Sequence, residues 1–160
     1  MLNDNVFFFL IFKNDVRFFY DNLPLNEALS LMKAHGFTAV PVIRQDGTYA
    51  GSVSEGDFLW FILKYGSEPE VLESHTIHEL IREGFIPPAL NTISFDELLG
   101  ISLHQNYVPI IDDRGIFIGI VTRQAILNYF LDADKPVCMN PAVLELERLD
   151  QKLENRRIAG

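Results

Sequence analysis

Ser54 and Asp57 stand three residues apart, where a strand-like run, Tyr49-Ala50-Gly51-Ser52-Val53, gives way to a helical pattern. A strand ending at Val53 and a helix opening after Ser54 leave backbone N–H groups pointing out of the helix start, which suits an anion. Ser54 adds a hydroxyl. Asp57 shares its helix face, and its carboxylate can accept two hydrogen bonds from a diol such as a ribose. The same pair also reads as a variant capping box, in which the third-position acid holds the N-cap backbone. On sequence alone both readings stand. Thr122 presents a hydroxyl before another helical pattern, and Arg123 after it can either meet a phosphate or lie exposed at a helix start. The position corresponding to Asp57 is Ala125, which cannot hold a diol.

Other reactive residues are sparse. His75 and His78 could share a helix face with Glu79 beside them, but a metal site needs at least about three or four ligands, so a solvated pair is expected. His35 and His104 end helical patterns and read as charge partners for helix C-termini. Cys138 is the single cysteine, with no thiol partner and no neighbouring base. The chain has no Gly-x-Ser-x-Gly elbow and no glycine-rich phosphate loop with lysine. An enzyme is not expected.

The formal net charge of −9 repels phosphate backbones and sets nucleic acid aside as a partner. The densest basic cluster, Arg156-Arg157 with Arg148 and Lys152, is offset by Glu145, Glu147, Asp150 and Glu154. The run Val6 to Phe12 is far shorter than the roughly 20 apolar residues of a membrane span, and it lacks the flanks of a signal peptide. It reads as a buried strand of a cytoplasmic protein that does not enter a membrane. With 48% hydrophobic residues, the chain has ample material for a packed interior.

The elements that position Ser54 and Thr122 come from an internal repeat. Ala39-Val40-Pro41-Val42-Ile43 overlays Tyr107-Val108-Pro109-Ile110-Ile111 at an offset of 68 residues, and Gly47, Gly51, Val53 and Ser54 fall on Gly115, Gly119, Val121 and Thr122. In the first copy Asn26 is expected to cap a helix through Ala34, stopped by Gly36. A β-rich run to Ile43 follows, then an Asp46-Gly47 hairpin turn, a return strand to Val53, and a helix from Glu55 to Tyr65. The second copy predicts a helix over Phe95–His104, strands over 107–111 and 116–121, and a helix over Arg123–Leu131. Between them a short helix is expected from Thr76 to Glu83. Pro141 opens a charged C-terminal helix, whose apolar residues near heptad spacing can pack on the module or on another protein. The chain divides into 1–66, the first repeat with an N-terminal strand; 67–131, the linker and second repeat; and 132–160, a helical tail.

This order, with Gly36-Phe37-Thr38-Ala39-Val40-Pro41-Val42-Ile43 and Gly51-Ser52-Val53-Ser54-Glu55-Gly56-Asp57-Phe58 in the first copy, resembles a CBS-domain pair, or Bateman module. Asn106-Tyr107-Val108-Pro109-Ile110-Ile111-Asp112 and Gly119-Ile120-Val121-Thr122-Arg123 carry the resemblance in the second copy. It covers roughly residues 15–131, and the aromatic N-terminus is similar to stand-alone bacterial CBS proteins. The implied fold is α/β: two β-α-β-β-α repeats about a pseudo-twofold axis, with a cleft between their sheets. The implied function is to sense AMP, ADP, ATP, S-adenosylmethionine or cyclic di-AMP and to regulate a separate partner protein. In such pairs the position of Ser54 meets phosphate or ribose and that of Asp57 meets ribose.

By the same analogy, Val16, the segment Thr38-Ala39-Val40-Pro41 and Ile86 line an adenine slot, though each also reads as core. Neutral Thr38 favours AMP, ADP or a cyclic dinucleotide over a triphosphate, with AMP foremost. One good site is expected, at Ser54 and Asp57. The helix Phe58-Leu59-Trp60-Phe61-Ile62-Leu63 is apolar on every side and must be covered all round. With Asn128-Tyr129-Phe130-Leu131 it is expected to form a homodimer interface. The competing functional class is a dimeric interaction adaptor whose sites bind nothing.

Overall fold

The computed structural model describes residues 5–131. The expected C-terminal helix, Cys138 and the Arg156-Arg157 cluster lie outside the described residues.

Two hairpins form the scaffold. β3 (Ala39–Ile43) pairs antiparallel with β4 (Tyr49–Ser54), and β6 (Tyr107–Ile111) with β7 (Phe117–Thr122). Their registers repeat residue for residue: Ala39 faces Ser54 as Tyr107 faces Thr122, and each hairpin carries an irregularity at the same place, Val42/Ile43 and Ile110/Ile111. The turns are built alike, with Asp46 accepting from Thr48 N–H at 2.9 Å and Asp112 from Ile116 N–H at 2.8 Å. Short strands β2 (Phe19–Tyr20) and β5 (Ala89–Leu90) add in parallel to β3 and β6. The two turns also join each other: Tyr49 N–H donates to Gly115 O and Phe117 N–H to Gly47 O, both at 3.0 Å.

Helices cover each sheet because their apolar stripes match its buried residues. In the first repeat, α1 (Leu25–His35) contributes Leu25, Ala28 and Met32, and α2 (Glu55–Tyr65) contributes Phe58 and Phe61, to a core with Val40, Val42 and Val53. In the second, α4 (Phe95–Ser102) supplies Phe95 and Leu98, and α5 (Arg123–Leu131) supplies Ile126, against Val108, Ile110 and Val121. Gly36 terminates α1 at φ 67°, a left-handed conformation that glycine adopts without penalty.

Several local expectations need correction. α1 begins two residues early, at Leu25, with Pro24 rather than Asn26 at its N-cap. Leu25 N–H is held by His75 O at 3.0 Å and its side chain is fully buried, so a tertiary contact sets this start. The linker forms α3 (Pro69–Ser74) and then a single 3-10 turn at Ile77–Leu80, not one helix over Thr76–Glu83. α4 ends at Ser102, short of His104. The apolar N-terminus is a 3-10 turn at Val6–Phe8 followed by only a two-residue strand, β1 (Ile11–Phe12). β1 pairs with β7, giving the sheet order β1-β7-β6-β5 beside β2-β3-β4. The N-terminal segment, grouped in sequence with the first repeat, thus lies on the sheet of the second, with Val6, Phe9 and Leu10 in that core.

Candidate functional site

Ser54 ends β4 and is the N-cap of α2, in extended conformation at φ −118° and ψ 165°. Asp57, at the third helical position, accepts Ser54 N–H and Ser54 Oγ–H on Oδ2, both at 2.7 Å. The capping-box geometry is therefore present. The first helical N–H is also occupied: Glu55 N–H donates to Thr38 O at 3.1 Å. That bond and the Ala39–Ser54 register bring Thr38, Ala39, Ser54 and Asp57 to one end of the first sheet. Thr38 is exposed there and Ala39 half-buried, whereas Pro41 lies two residues along β3, buried opposite Ser52. Val16 caps the 3-10 turn Lys13–Asp15, half-buried on the stretch that carries the chain from β1 on one sheet to β2 on the other.

Asp57 has a partner that local sequence reading did not anticipate. Arg82, in the linker, places Nε 2.6 Å from Asp57 Oδ1, and its terminal nitrogen lies 3.4 Å from Oδ2. The Asp57 side chain is 4% exposed and that of Arg82 54%. The guanidinium carbon also sits 3.8 Å above the Phe85 ring centroid, a cation–π arrangement. Next to Arg82, Ile81 packs on β4 so closely that a Cβ on Gly51 would lie 2.6 Å from Ile81 Cγ2. Nothing in the spacing around Arg82 marks it, since its partner is 25 residues away.

The corresponding end of the second repeat has Ala125 in place of the carboxylate. Thr122 Oγ1 accepts Ala125 N–H at 3.1 Å, so the hydroxyl caps α5. Arg123 neither lies free nor points to an open anion site: its Nε donates to Ser102 O at 2.7 Å and its backbone N–H to Asn106 O at 2.8 Å. A cation on the last carbonyls of α4 is favourable for the helix dipole, which gives Arg123 a structural task. Ala125 is buried.

A buried hydroxyl chain lies between the sheets. Ser52 Oγ is 2.9 Å from Tyr49 Oη and 2.6 Å from Tyr107 Oη, and Tyr49 Oη donates to Ile86 O at 2.8 Å. Burial pushes both phenols well above the usual tyrosine range, so they remain hydrogen-bonding hydroxyls. His75 and Glu79 do pair, at 2.9 Å, and the bond from His75 lowers the Glu79 carboxyl pKa. Among the described residues no group of three or more His, Cys, Asp or Glu is placed to hold a metal ion. No described helix is long and apolar enough to cross a membrane.

A family model for the CBS domain matches residues 11–64 and 91–132. A search of curated proteins gave no match. Among solved structures, CbpB in complex with c-di-AMP is similar over 80% of this chain and 85% of its own, with 25% identity and a TM-score of 0.75. CbpB of Listeria monocytogenes, also in complex with c-di-AMP, covers 78% and 92% at 22% identity and a TM-score of 0.70. CBSX2 in complex with AMP covers 83% and 100% at 19% identity and a TM-score of 0.68. Both matched stretches coincide with the hairpin-and-helix units described above, so the chain belongs to the CBS-domain family, with two CBS repeats arranged as a Bateman module.

Proposed function

We propose that this protein is a regulatory sensor that binds an adenine nucleotide, AMP or cyclic di-AMP before ADP or ATP, at the Ser54–Asp57 end of the first repeat, and signals to a separate protein. The observation that carries this reading is the buried carboxylate of Asp57 at the mouth of α2, beside the Ser54 hydroxyl and the Thr38-Ala39 backbone. A carboxylate there can take both hydroxyls of a ribose. The complex of CbpB with c-di-AMP, at 25% identity, supports the ligand class. Ala125 in the second repeat supports a single strong site.

A second reading has its own observation. Asp57 is already satisfied by Ser54 and Arg82, as in a dimeric adaptor whose site serves only as a helix cap.

Thermal unfolding against AMP, ADP, ATP, cyclic di-AMP, S-adenosylmethionine and NAD, with GMP as control, separates the two. A ligand at 100 times its Kd stabilises the folded state by about 2.7 kcal/mol, or several degrees of Tm. The sensor reading expects a shift with an adenine ligand, none with GMP, and loss of the shift in Asp57→Asn. No shift with any ligand, from folded protein free of co-purified nucleotide, selects the adaptor.

A further inference from the structure

The linker enters the first site through Arg82. Asp57 Oδ2 already receives the Ser54 N–H and hydroxyl, while Oδ1 receives only Arg82 Nε, at 2.6 Å. A ribose diol approaching Asp57 therefore meets the guanidinium on the oxygen it needs. Both cannot be fully bonded there, since a carboxylate offers about four lone-pair directions and three donors besides Nε are within reach.

The repeat supplies an internal comparison. β2 and β5 are related by an offset of 70 residues, on which Ile11 matches Ile81; Ile11 approaches Gly119 through its backbone carbonyl and Ile81 approaches Gly51 through its side chain. On that offset Phe12 stands where Arg82 stands, and on the 68-residue offset of the hairpins Ala125 stands where Asp57 stands. The charged pair is thus present whole in one repeat and absent whole from the other. A carboxylate buried to 4% exposure is costly without a counter-charge, and Arg82 supplies it.

The segment that bears Arg82 is held under tension. Ile86, a β-branched residue, has φ 52°, a conformation that sterics disfavour for such a side chain. Its carbonyl is held by Tyr49 Oη at 2.8 Å, and Phe85 lies under the guanidinium. Residues 82–86 therefore make one strap, fastened to Asp57 at one end and to the Tyr49–Ser52–Tyr107 chain at the other. Strain that the surroundings enforce is released when a fastening opens.

We propose that Arg82 is a built-in competitor for the Asp57 carboxylate, so that a nucleotide binds by displacing the guanidinium and frees the 82–86 strap as the conformational signal. This rests on the nucleotide reading above and adds its regulation. The ligand acts on the strap through its unequal affinity for the latched and unlatched states. Because the Arg82 side chain is half-exposed, water can solvate it once it leaves.

The test is calorimetric titration of the full chain with AMP and with cyclic di-AMP, for wild type and Arg82→Gln, alongside hydrogen–deuterium exchange of residues 81–86 without ligand. The latch requires Kd to fall by about fivefold or more in Arg82→Gln, the lower range of allosteric couplings. It also requires exchange in the strap to quicken in both Arg82→Gln and Asp57→Asn. Equal or weaker binding by Arg82→Gln while wild type binds overturns the latch and leaves the nucleotide site standing. Unchanged strap exchange in both variants overturns it also, independently of any ligand. No binding by either protein overturns the nucleotide reading and the competitor together, whereas binding by Arg82→Gln alone supports both.

Discussion

Ser52 is completely buried and its hydroxyl is shared by two phenols from different repeats, Tyr49 on β4 and Tyr107 on β6. Removing one member leaves another buried polar atom without its bond, which costs about 1–3 kcal/mol. Ser52→Ala is expected to lower stability in equilibrium denaturation by that amount, although it deletes a single oxygen. The pair also sets an alkaline limit. Both phenols have pKa values raised by burial above the ordinary 10.0, so above that pH the unfolded chain loses protons that the folded chain keeps. The phenols' contribution to stability is full below pH 10 and falls as pH rises beyond it. Tyr107→Phe is expected to flatten that fall in Tm measured between pH 9 and 11.5, and an unchanged slope would contradict the assignment.

The docking of β1 on β7 rests on one glycine. A Cβ on Gly119 would run into the Ile11 carbonyl oxygen, and the Phe12–Gly119 register depends on that approach. Gly119→Ala is expected to cost about 1–3 kcal/mol, the usual range for overpacking, and to expose the N-terminal segment. Limited proteolysis within residues 6–12 checks this: cleavage should accelerate there before the hairpin cores open. The caps work differently. Glu97 accepts Ser94 Oγ–H at 2.7 Å and Ser94 N–H at 3.2 Å, and these bonds lower its pKa. Because the unfolded state binds the proton more readily, this contribution is present above the ordinary glutamate range and lost as pH falls. The same box was legible at Ser54–Asp57, but not that its acid is shared with the linker.

At the scale of the molecule, α2 is covered on one side only. Phe58 and Phe61 are buried, while Leu59, Trp60 and Leu63 are 51%, 66% and 69% exposed. On α5, Leu127 and Leu131 are exposed as well. The partner repeat thus leaves this face of the all-apolar helix uncovered. An exposed apolar face of this kind favours association, and the homodimer proposed from the sequence remains the natural occupant. Sedimentation equilibrium is expected to give a dimer for the wild type and a monomer for Trp60→Glu with Leu63→Glu, with far-UV circular dichroism unchanged. A monomeric wild type would remove the dimer proposal.

The sequence by itself determined the two hairpins, their turns, α2 and α5, because each depends on residues close in the chain: short apolar runs, turns that combine Asp with a glycine, and a hydroxyl residue before each helix. The repeat then implied the family, since matched registers at a constant offset report one unit used twice. Tertiary structure alone decided that β1 lies on the second sheet, that α1 starts at Leu25 against His75, that Arg123 holds the end of α4, and that Arg82 sits on Asp57. These contacts join residues 20 or more positions apart, and no local periodicity records them. A buried charge dictates that some partner must arrive, but which residue arrives depends on how the linker crosses between the sheets.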